Sequence, residues 1–343
     1  MSKQNKERID KMAQETMQAV QLTGPCETSE MKPTTVAKPV LKKGYVLIKV
    51  KAFGVNESEV TSRKGQSSSD FTYPRILGIE GAGVVAEVNP GSSLKVGQKV
   101  ATMMGGMGRA IDGSYAEYTL VKEANVIPLE TNLPWKVVGA LPEMLQTSYG
   151  SLVEGLHLQK GNVVFIHGGS STVGLMATVV AKMMGATVIT TTRHEDKLAI
   201  LKKFGADYAL LDNDDLYKEI KQIAPQGVDK MLELVGFSAL FNDLKLIHQG
   251  GYACFTGALD GQWTFNNFSP FMIPTGVFLT SYAGEAKDLP AKAFNKVLAE
   301  IAKQDLQVPI AKVYHGLAEV GQAQANLESG KFIGKHVVVL DEN

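Results

Sequence analysis

The segment Val163-Val164-Phe165-Ile166-His167-Gly168-Gly169-Ser170-Ser171-Thr172-Val173-Gly174 carries the densest chemical signal in this chain of 343 residues. An apolar run passes into small residues and then into a helix-forming stretch, VGLMATVVAKMMG. Small residues let backbone N–H groups and the positive end of a helix approach a pyrophosphate, and glycine at 174 lets the helix lie close on the strand. The spacing Gly169-x-Ser171-x-x-Gly174 matches the dinucleotide fingerprint with Ser in place of the middle glycine. Ser170, Thr172 and Val173 complete the candidate phosphate turn. The other reading is a tight turn without a ligand. Its place at the first strand-to-helix turn of an alternating segment weighs against that.

The next apolar run, Ala186 to Thr191, ends in Thr192 and Arg193, with Lys197 soon after. An NAD site places an acid at this strand tip to hold the ribose 2′-hydroxyl, whereas here the tip is neutral and then basic. Arg193 and Lys197 suit a 2′-phosphate, so NADPH is the expected cofactor; solvated loop cations are the alternative. Glu195 and Asp196 sit where a following helix begins, a place that favours acids. Gly236, and Phe255-Thr256-Gly257, end later strands of the same alternation and are expected to offer backbone contacts.

Elements must hold these residues in place. From Ala19 to about Ile127 the pattern is short and β-like, in runs such as VLIKVKAFGV and GIEGAGVVAEV cut by Gly, Pro and Asn. From Leu141 strands alternate with helices of about ten residues, which means βαβ units and a parallel sheet covered on both faces. FNDLKLIHQG reads as a helix and GYACFTG as the strand after it. The expected organisation is a polar leader over 1–16, a β-rich domain over 17–135, a doubly wound domain over 136–286, and a return to the first domain over 287–343. Hydrophobic residues make up 44% and charged residues 20%, which excludes a disordered chain. Lys and Arg number 35 against 35 Asp and Glu, so no global field draws nucleic acid or an anionic membrane. Cys26 and Cys254 match no disulfide or zinc spacing, and no apolar run approaches a membrane span. A cytoplasmic protein is expected.

The order and spacing of further motifs resemble the medium-chain dehydrogenase/reductase family, in its zinc-free quinone oxidoreductase branch. Val46 to Val55 followed by Asn56 is similar to the family's "V-K-A-x-G-x-N"; Gly78-Ile79-Glu80-Gly81-Ala82-Gly83-Val84-Val85 to "G-x-E-x-x-G-x-V"; Val96 to Val100 to "G-D-R-V". Gly113 to Tyr118 resembles "G-G-Y-A-E-Y", and Gly330 to Val338 the closing "G-K-x-x-G-K-x-V". The resemblance covers about residues 17–341. It implies an α/β chain in which a Rossmann domain, a doubly wound parallel sheet, is inserted into a β-rich GroES-like catalytic domain, with the cofactor cleft where the two meet. It also implies a homodimer through the sheet edge, for which VFLTSYAG is the candidate strand.

By the same resemblance Asn56 lies beside the nicotinamide, with a turn-forming Asn as the alternative. Thr147 and Tyr149 match "T-x-Y-x" at the domain junction, with a core tyrosine as the alternative. The positions of the zinc ligands read Asn56, Ile79 and roughly Glu143, and the six His are scattered, so no metal is expected. His167 reads as a packed core histidine. Without a Lewis acid, alcohol oxidation loses its main stabilisation, which leaves hydride delivery to an electron-poor, hydrophobic small molecule. A quinone is the leading acceptor. An activated C=C bond is the close alternative, and an NADPH-binding sensor or structural protein the alternative of another class. Where enoyl-thioester reductases of the family carry a tyrosine, this chain has Ser67 after Lys64-Gly65-Gln66, with Tyr73 six residues later. The Met103 to Arg109 segment reads either as an adaptable cleft wall or as a loop with core methionines.

If Arg193 holds a 2′-phosphate, Arg193→Ala weakens NADPH far more than NADH in a fluorescence titration. Equal losses for the two nucleotides remove the assignment.

Overall fold

The computed structural model describes residues 15–340. Of the expected leader, residues 1–14 lie outside the described residues, and Thr16 already opens a strand, Thr16–Ala19. Contacts divide the chain into two units. One comprises the chain up to Pro142, Lys312–Phe332 and the stretch from His336, and the other Glu143–Ala311 with Ile333–Lys335. The second unit runs on past the expected end at 286 and takes in the helix Ala291–Ala302, which buries Phe294, Val297, Leu298 and Ile301.

The first unit is built on the strand Tyr45–Val55, whose burial is almost unbroken because partners flank it on both edges. It pairs antiparallel with Glu80–Glu87, with Tyr118–Lys122, and with the closing strand, where His336 lies opposite Val55 and Val339 opposite Ala52. The strand of the closing "G-K" motif therefore returns to the β-rich domain, in a sheet of seven strands. Phe53, Leu77, Tyr115, Tyr314 and Val338 lie in its core. Met103 and Met107 are also buried, which decides the Met-rich segment as a loop with core methionines.

The second unit carries the strands β1 (Val163–His167), β2 (Thr187–Thr192), β3 (Tyr208–Leu211), β4 (Val228–Glu233), β5 (Ile247–Phe255) and β6 (Phe278–Ser281). They pair in the order 3-2-1-4-5-6, every pair parallel, which is the doubly wound Rossmann arrangement. Helices α1 (Pro142–Gly150), α2 (Thr172–Met183), α3 (Leu198–Lys203), α4 (Leu216–Ile223) and α5 (Phe237–Asp243) accompany them. The strand order reverses between β1 and β4, where His167 lies opposite Glu233. One expectation is corrected: α5 begins earlier than FNDLKLIHQG, at Phe237, and Ile247-His248-Gln249-Gly250 belongs to β5. Val228 pairs with Ile247, and the register shifts before Lys230 pairs with Tyr252, so strand pairing overrides local helix preference there.

Phe165 is fully buried in the core between sheet and helices, among Ile189, Leu216, Ile220 and Met231. Phe165→Ala should cost about 3–5 kcal/mol in equilibrium urea unfolding. A loss below about 1 kcal/mol would show that this core does not carry the unit's stability.

Candidate functional site at the carboxyl edge of the parallel sheet

The phosphate turn has the local geometry its residues call for. Ser171 is the N-cap of α2: its Oγ accepts from the Gly174 amide at 3.0 Å and donates to the Gly168 carbonyl at 2.8 Å. The amides of Thr172 and Val173, one and two residues into the helix, have no intrahelical acceptor and give the turn its positive character. A Cβ on Gly169 would collide with Thr190 Oγ1, and one on Gly174 would meet the Gly168 carbonyl and Gly169 Cα. Helix and strand thus approach to a distance that only glycine permits. The Gly168 amide donates to Thr191 Oγ1 at 3.2 Å, which ties the turn to β2.

Around that turn lie the other strand ends. Thr192 is buried and closes β2, Arg193 is exposed just beyond it, and Lys197 is half-buried in the short helical turn Glu195–Lys197. At the end of β4, Glu233 organises its neighbours: Oε1 accepts from the amides of Val235, at 2.6 Å, and Gly236, at 3.0 Å, while its carbonyl accepts from those of Thr256 and Gly257. The Gly236, Thr256 and Gly257 donors are therefore engaged within the protein. Phe255 is half-buried and packs against Phe237, ring centroids 5.0 Å apart. The Thr256 hydroxyl lies 2.9 Å from Ser151 Oγ.

His167 ends β1 and is buried, but among charges and not hydrocarbon alone. Nδ1 lies 2.6 Å from Asp243 Oδ2 and Nε2 3.3 Å from Asp212 Oδ2, just past the end of β3. Burial disfavours the imidazolium, yet hydrogen bonds to Asp212 and Asp243 and nearby carboxylates outweigh it and push the pKa up to about 10. The hydrogen bond from His167 holds Asp212 below the usual carboxylate range against burial, and the charge of Arg193 adds to this. Burial, then Asp243, raises Glu233 well above that range. Tyr217 donates to Asp243 Oδ1 at 2.9 Å. One atom each of His167, Glu233 and Asp243 comes within 4.8 Å of the others. The 2.6 Å contact is short enough for His167 and Asp243 to share a proton, and the two amides occupy Glu233 Oε1. Sequence reasoning missed this cluster because its members are scattered over four strand and helix ends.

In the first unit Asn56 precedes the short helix Glu57–Arg63, and its amide nitrogen donates to Glu80 Oε1 at 3.0 Å. The buried Glu59 accepts from the backbone of Asn56 at 2.8 Å, from the Ile79 amide at 2.7 Å and from the Tyr115 hydroxyl at 2.6 Å. One carboxylate thus joins three of the motifs that carried the resemblance. Burial, and then the Glu59 charge, pushes the Tyr115 phenol well up, so it stays a donor. Tyr73 donates to the Ser62 carbonyl at 2.8 Å.

In the second unit Thr147 and Tyr149 stand two residues apart on α1 and, at about 100° per residue, face different ways. Thr147 Oγ1 donates to Glu143 Oε1 at 2.9 Å, and Lys335 Nζ, 2% exposed, lies 3.0 Å from Glu143 Oε2. Ser148 donates to the Val173 carbonyl at 3.1 Å, so α1 lies directly on the phosphate turn. Tyr149 is half-buried. The zinc positions can now be tested singly. Asn56 gives an amide already bonded to Glu80, Ile79 a hydrocarbon, and Glu143 a carboxylate whose counter-charge is an ammonium. That donor set does not fit tetrahedral N/S coordination.

A GroES-like domain of alcohol dehydrogenases matches residues 42–131, and a domain described as zinc-binding dehydrogenase matches residues 172–302. The quinone oxidoreductase of Pongo abelii is 32% identical over 226 residues, which span 65% of this chain and 67% of that protein. That of Rattus norvegicus is 28% identical over 310 residues, 89% of this chain and 92% of its own. Among solved structures, AibC superposes with a TM-score of 0.85 at 26% identity, over 97% of this chain and 98% of its own. Mycobacterial Rv1454c, complexed with NADPH, superposes with a TM-score of 0.80 at 23% identity, over 94% and 100%. The chain belongs to the medium-chain dehydrogenase/reductase family. It is an oxidoreductase of that family, with a Rossmann domain inserted into a GroES-like one.

The raised pKa of His167 fixes the sign of a pH effect. An imidazole favoured as the cation in the fold contributes stability below its unfolded value of ~6.5 and loses it as pH rises toward about 10. Urea unfolding of the native chain minus that of His167→Gln should therefore give a difference that shrinks from pH 6 to pH 10. A difference that is flat across this window would remove the buried imidazolium.

Proposed function

We propose that this chain is an NADPH-dependent, zinc-independent oxidoreductase that transfers hydride from NADPH to a quinone. The observation that carries the cofactor assignment is the phosphate turn: two glycines where any Cβ would collide with the strand or the turn itself, and a capped helix whose first amides remain for phosphate oxygens. Gly169, Ser170, Ser171, Thr172, Val173 and Gly174 hold the pyrophosphate, and Arg193 and Lys197, beyond Thr192, take the 2′-phosphate. Because the Gly236, Thr256 and Gly257 amides are engaged by Glu233, that edge offers carbonyls, the Thr256 hydroxyl and the Phe255 ring face. NADPH supplies the hydride when bound; the quinone takes it with one proton from water and leaves as the hydroquinone.

The remaining work falls to the chain. Asn56, Thr147 and Tyr149 are the polar groups offered to the nicotinamide and the acceptor, and each of the first two is held by a carboxylate that sets its orientation. With no Lewis acid, positioning and exclusion of water carry the rate. The named relatives favour a quinone over an enone or enal, since quinone oxidoreductases recur among them. Balanced charge argues against nucleic acid as a partner, and among the described residues no helix is long and apolar enough to cross a membrane. Both cysteines are free thiols, as suits the reducing cytoplasm. We also propose a homodimer: β6 is the last strand of the sheet, with Phe278 exposed on an edge that a second copy would cover.

Reduced-nicotinamide absorbance, followed in chelator-treated protein against an ortho-quinone, a para-quinone, a small enone and a primary alcohol in reverse, tests the reading. Quinone-dependent oxidation of NADPH, faster than of NADH, is the expected outcome. Turnover of the enone alone moves the substrate to activated C=C bonds, alcohol oxidation overturns zinc independence, and NADPH binding without turnover makes the chain a sensor. Sedimentation at the mass of a single chain would remove the dimer.

A further inference from the structure

We infer that His167 is a specificity-determining positioning residue: its buried imidazolium neutralises Asp212 at the tip of β3 and so permits a phosphate beside Arg193. This rests on the cofactor reading above and adds to it a residue that touches no nucleotide. The argument is electrostatic and begins from contacts. The end of β3 runs beside the end of β2, Leu211 opposite Thr192, and the Asp212 amide donates to the Thr192 carbonyl at 2.9 Å. The Asp212 carboxylate therefore stands next to the residue that precedes Arg193, close enough for the Arg193 charge to act on it.

A carboxylate at that place opposes a 2′-phosphate, which carries a charge of about −1.5 to −2 near neutral pH. Arg193, exposed to water, must attract the phosphate while Asp212 repels it. His167 removes much of the conflict from below. A carboxylate oxygen lies on either side of the ring, Asp243 Oδ2 2.6 Å from Nδ1 and Asp212 Oδ2 3.3 Å from Nε2, and these acids favour the imidazolium against burial. Its side chain is 2% exposed, so water screens this charge poorly. The other groups facing it do not replace it. Asp243 Oδ1 accepts from the Tyr217 hydroxyl, and burial, then Asp243, raises Glu233 well above the usual carboxylate range. One cation thus stands against two carboxylates. A neutral residue at 167 leaves both uncompensated at the floor of the subsite, and leaves a nucleotide without the phosphate unaffected.

The prediction is a selectivity change that a merely structural role would not give. NADPH and NADH dissociation constants are measured by nucleotide fluorescence for the native chain, His167→Gln, Asp212→Asn and the double variant. His167→Gln should weaken NADPH about tenfold and NADH less than about twofold, and Asp212→Asn in that background should restore NADPH to near the native value. Equal losses for both nucleotides, or no rescue by Asp212→Asn, overturn the inference and leave the cofactor reading standing. If His167→Gln does not fold, Asp212→Asn alone decides, since Asp212 is partly exposed. It should tighten NADPH and leave NADH unchanged, and unaltered selectivity overturns the role of Asp212. A native chain that binds neither nucleotide fails at the phosphate turn itself and takes both readings with it.

Discussion

A carboxylate taken out of water costs several kcal/mol unless donors surround it or a proton neutralises it, and each unit has a buried glutamate that meets this constraint. In the β-rich unit Glu59 stays an acceptor and gathers the Asn56 and Ile79 amides and the Tyr115 hydroxyl. At the carboxyl edge of the parallel sheet, burial raises the pKa of Glu233 well above the usual carboxylate range, and its Oε1 accepts two amides at the turn after β4. The loops around each site are shaped by what these carboxylates demand. Removing either would leave buried N–H or O–H groups without acceptors, an outcome folded proteins avoid.

The same edge shows how a parallel sheet divides labour. The strands end in a line, so whatever follows β1, β2, β3, β4 and β5 is brought together although it is scattered in sequence. Glycine and serine after β1 keep the backbone bare for an anion, and basic residues follow β2. His167, Asp212, Glu233 and Asp243 gather there as a cluster of titratable groups. In the proposed reading, a helix N-terminus sets the sign of the field at the pyrophosphate and this cluster sets it at the ribose end. α1 and the helical turn Ser151–Gly155 that follows it cover part of this edge, with Ser148 on the turn and Ser151 on Thr256.

The pairing of Lys335 with Glu143 bears on the proposed metal-free chemistry. A carboxylate at a position where the family resemblance puts a zinc ligand is here held by an ammonium and by the Thr147 hydroxyl. Such a pair, largely out of water, resists exchange for a metal, because releasing Lys335 would strand its charge in the interior. The family model carries a zinc-binding description, and these side chains depart from it.

Much of this molecule was legible in order along the chain. Period-two runs marked the β-rich unit, alternation marked the Rossmann unit, and the fingerprint from Gly169 to Gly174 marked the turn, because each is a local pattern with a local cause. Local reasoning failed where pairing at a distance decided the outcome, as at Ile247 to Gly250, which β4 drew into a strand. It also read His167 as a core histidine, since nothing near it in sequence discloses Asp212 or Asp243. Thr147 and Tyr149 looked like one site in the sequence, and the turn of the helix separates them. What the sequence by itself determined is the order of elements, the bare phosphate turn and the basic tip of β2. What only the tertiary structure decided is which charges face one another, because ionisation depends on neighbours and burial that no spacing along the chain records.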